Sequence, residues 1–226
     1  SAPSPQFFLQ TFEEAGRKAD SIVCILMTSA MTQMTHDAAL MAKEVIKQRL
    51  PNLPIEIVDS RTVVGIDGLI ALSAARGASQ GQELAQVIRT AKETRNQVTI
   101  VAALDTLKYL ARGGRIGKAA SWAGNLLDIK AILEVPTSTG VIEPIQRVRT
   151  KRKALERLVD ITRKRVGNKR VHVIIDHADI LEEAEWLKER VASQFNCNEI
   201  YISGCSPVVG VHPGPGLVGL SFYTEP

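Results

Sequence analysis

The side chain best suited to chemistry in this sequence is an arginine that follows two glycines. Gly113 and Gly114 end a short helical register and come directly before Arg115. A glycine pair at a helix end supplies the positive-φ geometry of a C-cap and leaves the backbone open to close approach. A guanidinium held there can bind a carboxylate or a phosphate through parallel hydrogen bonds. The spacing is also compatible with an ordinary helix cap and a solvated arginine.

A segment rich in hydroxyl groups is a second candidate for anion binding. Thr28, Ser29 and Thr32 follow the apolar run 21–27 and precede a predicted helix over about 37–50. A helix N-terminus carries free N–H groups and a partial positive charge, and hydroxyl groups can donate further hydrogen bonds. Hydroxyl side chains at a helix start are also explained as N-caps, which need no ligand.

A histidine in a rigid loop is the third candidate. His212 precedes Gly214 and Gly216, which alternate with prolines in a segment that cannot join a helix or a central strand. Such a histidine can bind a polar group, or it can hydrogen-bond a local backbone carbonyl. His172 and His177 lack the clustered carboxylates or cysteines of a metal site, so we interpret them as structural and expect no bound metal.

Composition narrows the class of protein. The chain has 226 residues, of which 45% are hydrophobic and 23% charged, as in a soluble globular protein with a substantial core. It contains neither an apolar run of about 20 residues nor a basic-then-apolar leader, so we expect a cytoplasmic protein. We expect no integral membrane segment, and any contact with a membrane surface is expected to be transient.

Charge and cysteine content exclude further classes. The net charge of +4 permits an acidic partner, but the basic residues are concentrated in 147–170 and aromatic residues make up only 4% of the chain. Because nucleic-acid binders usually interleave basic and aromatic residues, we expect no nucleic-acid partner. The three cysteines form no C-x-x-C motif and are interpreted as reduced thiols.

Strands and helices alternate through the first half of the chain, which predicts a helix-covered, mainly parallel sheet. In such a sheet the polar residues at the carboxyl ends of the strands meet at one edge, where ligands bind; here these are Thr28, Ser29, Asp59 and Asp105. The predicted strands cover 21–27, 55–60 and 97–103, and the predicted helices cover 6–18, 37–50, 65–76 and 80–95.

The pattern changes after Arg115. Residues 130–135 and 141–149 predict an antiparallel hairpin, and 151–166 a basic helix with an apolar stripe. We therefore expect an α/β protein of two domains: residues 1–115 form a partial parallel α/β domain, and residues 116–226 form a second α/β domain with a mixed or antiparallel sheet. The remaining predicted helices cover 118–126 and 181–195, and the remaining strands cover 171–176, 199–204 and a segment from 217.

Several motifs follow one another in a fixed order along nearly the whole chain. They are Ser1-x-Pro3-Ser4, the hydroxyl-rich turn after the first strand, Val58-Asp59-Ser60 followed by Gly65-x-x-Gly68, Asp105-Thr106-Leu107 with Gly113-Gly114-Arg115-Ile116, Arg147-x-Arg149-Thr150, and Gly210-x-His212-x-Gly214-Pro215-Gly216. With these motifs the chain resembles the DegV family. The resemblance implies a two-domain α/β protein that buries one long-chain fatty acid and, in bacteria, presents the acyl carboxylate to a partner fatty acid kinase.

The resemblance also implies the site residues. Thr32 matches a serine whose hydroxyl group bonds the carboxylate, and Arg115 and His212 match the arginine and histidine beside it. We expect neighbouring residues to support these three: Ser29, Thr28, Gly113, Gly114, Gly214 and Gly216.

The chain departs from the family pattern at three points. Family members usually begin with a further segment that includes the first strand of the sheet, so the parallel domain is expected to be partial. Gln33 and Met34 stand where the family usually has Gly and Thr, and a side chain at 33 restricts close approach to the backbone. Pro213 replaces the usual Thr and removes a hydroxyl group and a backbone donor.

Elementary energetics agree with a fatty-acid ligand. A long acyl chain gains about 0.8 kcal/mol per buried CH₂, so a tunnel of apolar residues needs only a few polar groups at its mouth. No set of nucleophile, base and orienting residue is visible, so we predict a binding protein without catalysis and without a cofactor. The alternative is a hydrolase or transferase that acts on a small phosphorylated substrate and uses the same glycines and helix ends to bind phosphate.

Overall fold

Two β-sheets organise residues 2–122 and 129–225, which are the residues that this computed structural model describes. The first sheet is a parallel pair, β1 (Ile22–Leu26) and β2 (Ile55–Asp59). The second has six strands, in the order β5-β4-β3-β8-β6-β7. These strands are β3 (Thr99–Leu104), β4 (Lys130–Glu134), β5 (Glu143–Val148), β6 (Val171–His177), β7 (Cys197–Gly204) and β8 (Val218–Thr224).

Helices pack on the faces of both sheets. A short 3₁₀-helix covers Gly117–Trp122. Within the described ranges, no helix combines the length and apolarity needed to cross a bilayer. The α-helices are α1 (Pro5–Gly16), α2 (Ser29–Arg49), α3 (Gly65–Ser79), α4 (Leu84–Gln97), α5 (Lys108–Arg112), α6 (Lys151–Val166), α7 (Leu181–Gln194) and α8 (Pro207–Gly210).

The small sheet is apolar on both faces because helices cover both. Alternate residues of β1 point in opposite directions: Cys24 packs with α1 and α2, whereas Val23 and Ile25 pack with α3 and α4. This explains the continuously apolar run that predicted the strand. The residues of β1 are only half-buried, since within the described ranges β1 pairs with a single strand.

The large sheet is mixed. The predicted hairpin is confirmed, because β4 and β5 pair antiparallel with a bulge between Ile132 and Leu133. β8 runs antiparallel to its neighbours β3 and β6, whereas β6 and β7 are parallel. The predicted α/β class, with a parallel sheet and a second mixed sheet, is therefore confirmed.

One strand lies in a different sheet from the one expected. The segment 97–103 was expected in the parallel sheet, but β3 pairs antiparallel with both β4 and β8. A strand that is buried on both faces has the same apolar pattern in either type of sheet, so its sequence does not reveal its neighbours. The division of the chain into domains 1–115 and 116–226 stays a prediction.

Three predicted helices also differ in extent or type. The helix expected over 37–50 begins at Ser29, so it includes the hydroxyl-rich segment, and it is interrupted at Thr32. In the segment predicted as a helix over 118–126, the described part is the 3₁₀-helix, and residues 123–126 lie outside the described residues. The helix expected from residue 80 begins at Leu84, because Glu83 and Gln86 form a capping box.

Helices α3 and α4 form a layer between the two sheets. Ile70 and Ala91 of these helices are buried against Ile100 of β3, and the other side of the same layer packs against the small sheet. Helices α6 and α7 cover the opposite face of the large sheet through Leu158 and Leu187.

Polar contacts fix this layer on the large sheet. The carboxylate of Asp176 on β6 accepts a hydrogen bond from the backbone N–H of Gly65 at 3.0 Å. At the far end of α3, the guanidinium of Arg76 forms two hydrogen bonds to the carboxylate of Glu199 on β7. The docking of α3 therefore depends on a contact at each of its ends.

The contact at Gly65 predicts a sharp difference between two glycines of α3. A Cβ atom at Gly65 would lie 2.6 and 2.8 Å from the carboxylate oxygens of Asp176, whereas one at Gly68 would come no closer than 3.4 Å, to Ile174. We expect Gly65→Ala to lower the free energy of unfolding by about 1–3 kcal/mol through overpacking.

Gly68→Ala is the matched control for this prediction. It should leave stability unchanged or raise it by up to about 1 kcal/mol, because alanine is the better helix former. Urea unfolding of both variants provides the measurement, and equal stabilities for the two would contradict a close contact at Gly65.

Candidate functional site

The two glycines before Arg115 end helix α5 in a Schellman motif. The N–H of Arg115 donates to the carbonyl oxygen of Leu110, and the N–H of Gly114 donates to that of Ala111. Gly114 has φ of +71°, which glycine adopts without strain, whereas Gly113 has a helical φ of −81°. The predicted glycine cap is thus present, with the positive φ at the second glycine.

The side chain of Arg115 turns back over this cap. Its Nη1 donates to the carbonyl oxygen of Gly113 at 2.6 Å. A guanidinium has five N–H donors, so this bond leaves others available to a ligand. Arg115 is exposed, which makes it accessible to an anion from solution.

His212 lies against the same glycine. A Cβ atom at Gly113 would be 3.0 Å from Nδ1 of His212, so the absence of a side chain lets the imidazole approach the cap. Partial burial, together with the positive charge of Arg115, lowers the pKa of His212 below its usual value. The imidazole is therefore neutral at neutral pH and has one N–H to donate.

A cavity of about 610 Å³ is lined by His212 and by Gly113, the residue whose carbonyl oxygen accepts the hydrogen bond of Arg115. Tyr109, Arg112, Asp179 and Cys205 line it together with His212. Sequence reasoning missed Arg112, Asp179 and Cys205, because they belong to separate segments and no motif marks them. Burial raises the pKa of the Cys205 thiol to about 11, so this thiol is protonated and a poor nucleophile.

The glycines after His212 shape the loop that carries it. Gly214 and Gly216 have φ of +78° and +87°, and a side chain at Gly214 would overlap the ring of Tyr109. Nζ of Lys151 donates to the carbonyl oxygen of Gly216 and also contacts the carboxylate of Asp105 at 3.2 Å. The loop is thus fixed against the segments that follow β3.

Asp105 lies apart from the other strand-end residues with which it was grouped. It follows β3 in the large sheet, where Lys130 and Lys151 form ion pairs with it at 3.3 and 3.2 Å. The expectation that Asp105 meets Thr28, Ser29 and Asp59 at one sheet edge is therefore wrong, and the reason is that β3 belongs to the other sheet.

The hydroxyl groups of Thr28 and Ser29, at the start of α2, donate hydrogen bonds to other groups of the same chain. Oγ of Ser29 donates to the carboxylate of Asp59 at 2.6 Å, and the same carboxylate accepts the N–H of Ser29. Thr28 is buried, and its Oγ1 donates to the carbonyl oxygen of Gly140 at 3.0 Å. The first turn of α2 is thus fixed by Asp59 on one side and by the loop between β4 and β5 on the other.

Thr32 occupies the interruption in α2. Its backbone has φ of −144° and ψ of 56°, outside the helical region, and its Oγ1 lies 2.6 Å from Oγ1 of Thr35. The structure thus brings Arg115 and His212 together at Gly113, while the side-chain hydrogen bond of Thr32 is to Thr35 within α2. A single site formed by all three predicted residues stays a prediction.

Two buried carboxyl groups, one in the first turn of α3 and one on β6, were not singled out in the sequence. Burial raises the pKa of both Asp67 and Asp176 to about 7, and for Asp67 the nearby charges of Asp176 and Asp59 act in the same direction. Asp176 accepts hydrogen bonds from the Gly65 N–H and the Ser221 hydroxyl group. Oδ1 of Asp67 is buried without a hydrogen-bond partner among the described residues.

His172 has carboxylate neighbours that its sequence context did not reveal. Its Nδ1 lies 2.6 Å from Glu199 and its Nε2 lies 3.1 Å from Glu225, and its ring stacks on Tyr223 at 4.4 Å. These partners come from β7, β8 and the segment after β8, which meet β6 only in the folded sheet. Across 2–122 and 129–225, no group of three or more His, Cys, Asp and Glu residues could hold a metal ion.

The fold and the site define an α/β protein in which an arginine and a histidine meet at a glycine that lines a cavity. A family model described as "Uncharacterised protein, DegV family" matches residues 1–225. A DegV domain-containing protein of Clostridium acetobutylicum is 34% identical over 230 residues, which cover 100% of this chain and 78% of that protein. The chain belongs to the DegV family.

Solved structures agree with this assignment. A structure described as "Fatty Acid Binding of a DegV family Protein from Thermus thermophilus" has a TM-score of 0.88 and 28% identity, and the match covers 100% of this chain and 78% of that one. The Streptococcus pneumoniae Fatty Acid Kinase (Fak) B3 protein, loaded with linoleic acid, has a TM-score of 0.88 at 20% identity, with coverage of 100% and 78%. At that lower identity the likeness concerns the fold alone.

The raised pKa of Asp67 predicts a dependence of stability on pH. Because this pKa of about 7 lies above the ordinary value of 3.8, the folded protein binds more protons than the unfolded chain between about pH 4 and pH 7. The free energy of unfolding should therefore fall as the pH rises through this window. Asp67→Asn should reduce the fall by about 1 kcal/mol or more, because an amide does not ionise.

Urea unfolding at pH 5 and pH 8 provides the measurement. Asp20→Asn is the control, since Asp20 is exposed and its replacement should leave the difference between the two pH values as it is in the wild type. An Asp67→Asn variant with the wild-type difference would show that Asp67 has an ordinary pKa.

Proposed function

We propose that this protein binds a long-chain fatty acid in the cytoplasm and presents its carboxylate to a partner fatty acid kinase, without catalysis of its own. The observation that carries the proposal is the meeting of Arg115 and His212 at Gly113, beside a cavity. Membership of the DegV family supports it, and so does the fatty-acid binding attributed to the Thermus thermophilus relative.

The polar groups suit a carboxylate. Arg115 supplies a positive charge with free N–H donors, and neutral His212 adds one more donor without the cost of burying a second charge. In this proposal Thr32 adds a hydroxyl group, and Thr28, Ser29 and the glycines at 113, 114, 214 and 216 hold the surrounding backbone. The exposure of Arg115 suits a carboxylate that a second protein must reach.

The apolar chain of the ligand needs a path next to these groups. Met31 and Ile116, the neighbours of Thr32 and Arg115 in sequence, both pack against the apolar cluster formed by α3, α4 and the large sheet. A carboxylate held by Thr32 and Arg115 would thus have its first methylene groups at the edge of this cluster. Each CH₂ that enters it contributes about 0.8 kcal/mol.

The ligand is tested by extraction of protein purified from cells. We expect native mass spectrometry and organic extraction to recover about one long-chain fatty acid per chain, because a mostly buried acyl chain dissociates slowly. A protein without lipid that hydrolyses a phosphate monoester such as p-nitrophenyl phosphate would instead support the hydrolase or transferase alternative. Formation of acyl phosphate only when a fatty acid kinase and ATP are added would support the role as a presenting partner.

Arg115→Ala tests the carboxylate contact. We expect it to weaken binding of a free fatty acid about 10- to 100-fold while changing binding of the methyl ester little, since only the acid presents a charge to the guanidinium. Titration of both ligands, followed by fluorescence or calorimetry, gives the two dissociation constants.

Arg112→Ala is the matched control, because Arg112 is an exposed arginine at the end of α5, three residues before Arg115. An equal loss in both variants would point to a general positive field instead of a contact at Arg115. Equal losses for acid and ester in Arg115→Ala would mean that Arg115 has only a structural role.

A further inference from the structure

The hydroxyl group of Thr32 has an unusual environment for a threonine inside a helix. Such a hydroxyl group commonly donates to the carbonyl oxygen four residues earlier, as Oγ1 of Thr11 does to Phe7 at 2.9 Å in α1. Thr32 makes no such bond in the described structure. Its Oγ1 instead lies 2.6 Å from Oγ1 of Thr35, and its backbone leaves the helical region.

The partner of Thr32 decides whether its proton is available to a ligand. A hydroxyl group has one proton to donate and can accept from two directions. If Thr35 donates to Thr32, the proton of Thr32 is free to point away from the helix. Without Thr35, the proton of Thr32 could turn to the nearby carbonyl oxygen of Thr28, which already accepts the N–H of Thr32 at 3.2 Å.

We propose that Thr35 is a positioning residue for the bound carboxylate: its hydroxyl group donates to Oγ1 of Thr32 and so directs the proton of Thr32 toward the ligand. This inference rests on the proposed function, since it assumes that Thr32 contacts a fatty-acid carboxylate. Thr35 does not itself touch the ligand; it acts through Thr32. The half-buried position of Thr35 in the helix holds its hydroxyl group at this distance.

Four variants test the proposal through the ratio of dissociation constants for a fatty acid and its methyl ester. Thr35→Val keeps the shape of the side chain but removes the hydroxyl group, and we expect it to reduce the preference for the acid about fivefold. Thr35→Ser restores the hydroxyl group and should recover the preference. The double variant Thr32→Val/Thr35→Val should match Thr32→Val alone, because Thr35 acts only through Thr32.

The possible outcomes separate this inference from the proposed function. A wild-type protein that does not distinguish acid from ester overturns both. If the wild type prefers the acid and Thr32→Val loses that preference, an unchanged ratio in Thr35→Val overturns the role of Thr35 alone. The role of Thr35 is also overturned if Thr35→Val weakens binding of acid and ester equally, or if Thr35→Ser does not recover the preference for the acid.

Folding is controlled separately. Thr11→Val removes a hydroxyl group whose hydrogen bond stays within α1, and it should leave the ratio unchanged. Thermal unfolding of all variants identifies any that do not fold, and Thr35→Ala replaces Thr35→Val in that case, with the same expected loss of preference.

Discussion

The arrangement of the molecule depends on one buried contact, between the carboxylate of Asp176 on β6 and the N–H of Gly65 at the start of α3. A buried carboxylate is costly unless hydrogen bonds satisfy it, and here Gly65 and the hydroxyl group of Ser221 do so. Val64, just before Gly65, has φ of +54°, a strained conformation for a β-branched residue. We infer that packing and this hydrogen bond together hold the strained turn and so fix the start of α3 on the large sheet.

The placement of α3 determines the surroundings of the candidate site. Helices α3 and α4 separate the two sheets, and the loops at the ends of the strands connect across them. Thr28 bonds to the carbonyl oxygen of Gly140, and Arg61 bonds to that of Ser138 at 2.8 Å. The turn before α2 and the segment after β2 are therefore both fixed to the hairpin of the large sheet.

Local sequence predicted much of this architecture. It did not predict the features that depend on contacts between segments far apart in the chain. The glycine cap before Arg115 could be predicted, because Gly113 and Gly114 carry their backbone preference with them. The sheet to which β3 belongs could not be predicted, since strands buried on both faces have the same apolar sequence pattern in either sheet. Asp176 ends an apolar run and reads as a strand end, and only the folded structure shows that its carboxylate meets Gly65. The interruption at Thr32 also escaped prediction, because hydroxyl residues near a helix start suggest an ordinary cap.

The proposed ligand has a polar carboxylate and an apolar chain, and two pairs of adjacent residues in the protein offer one contact to each. In both Met31-Thr32 and Arg115-Ile116 an apolar residue packs on the cluster beneath α3 and α4, while its polar neighbour remains at the surface of that cluster. If the backbone of either segment were shifted by one residue, the polar side chain would face the cluster and the apolar one would lie at its surface. The interruption of α2 and the Schellman motif of α5 each fix the backbone at such a pair. In the proposed complex, local backbone geometry would thus control which groups meet the carboxylate and which meet the acyl chain.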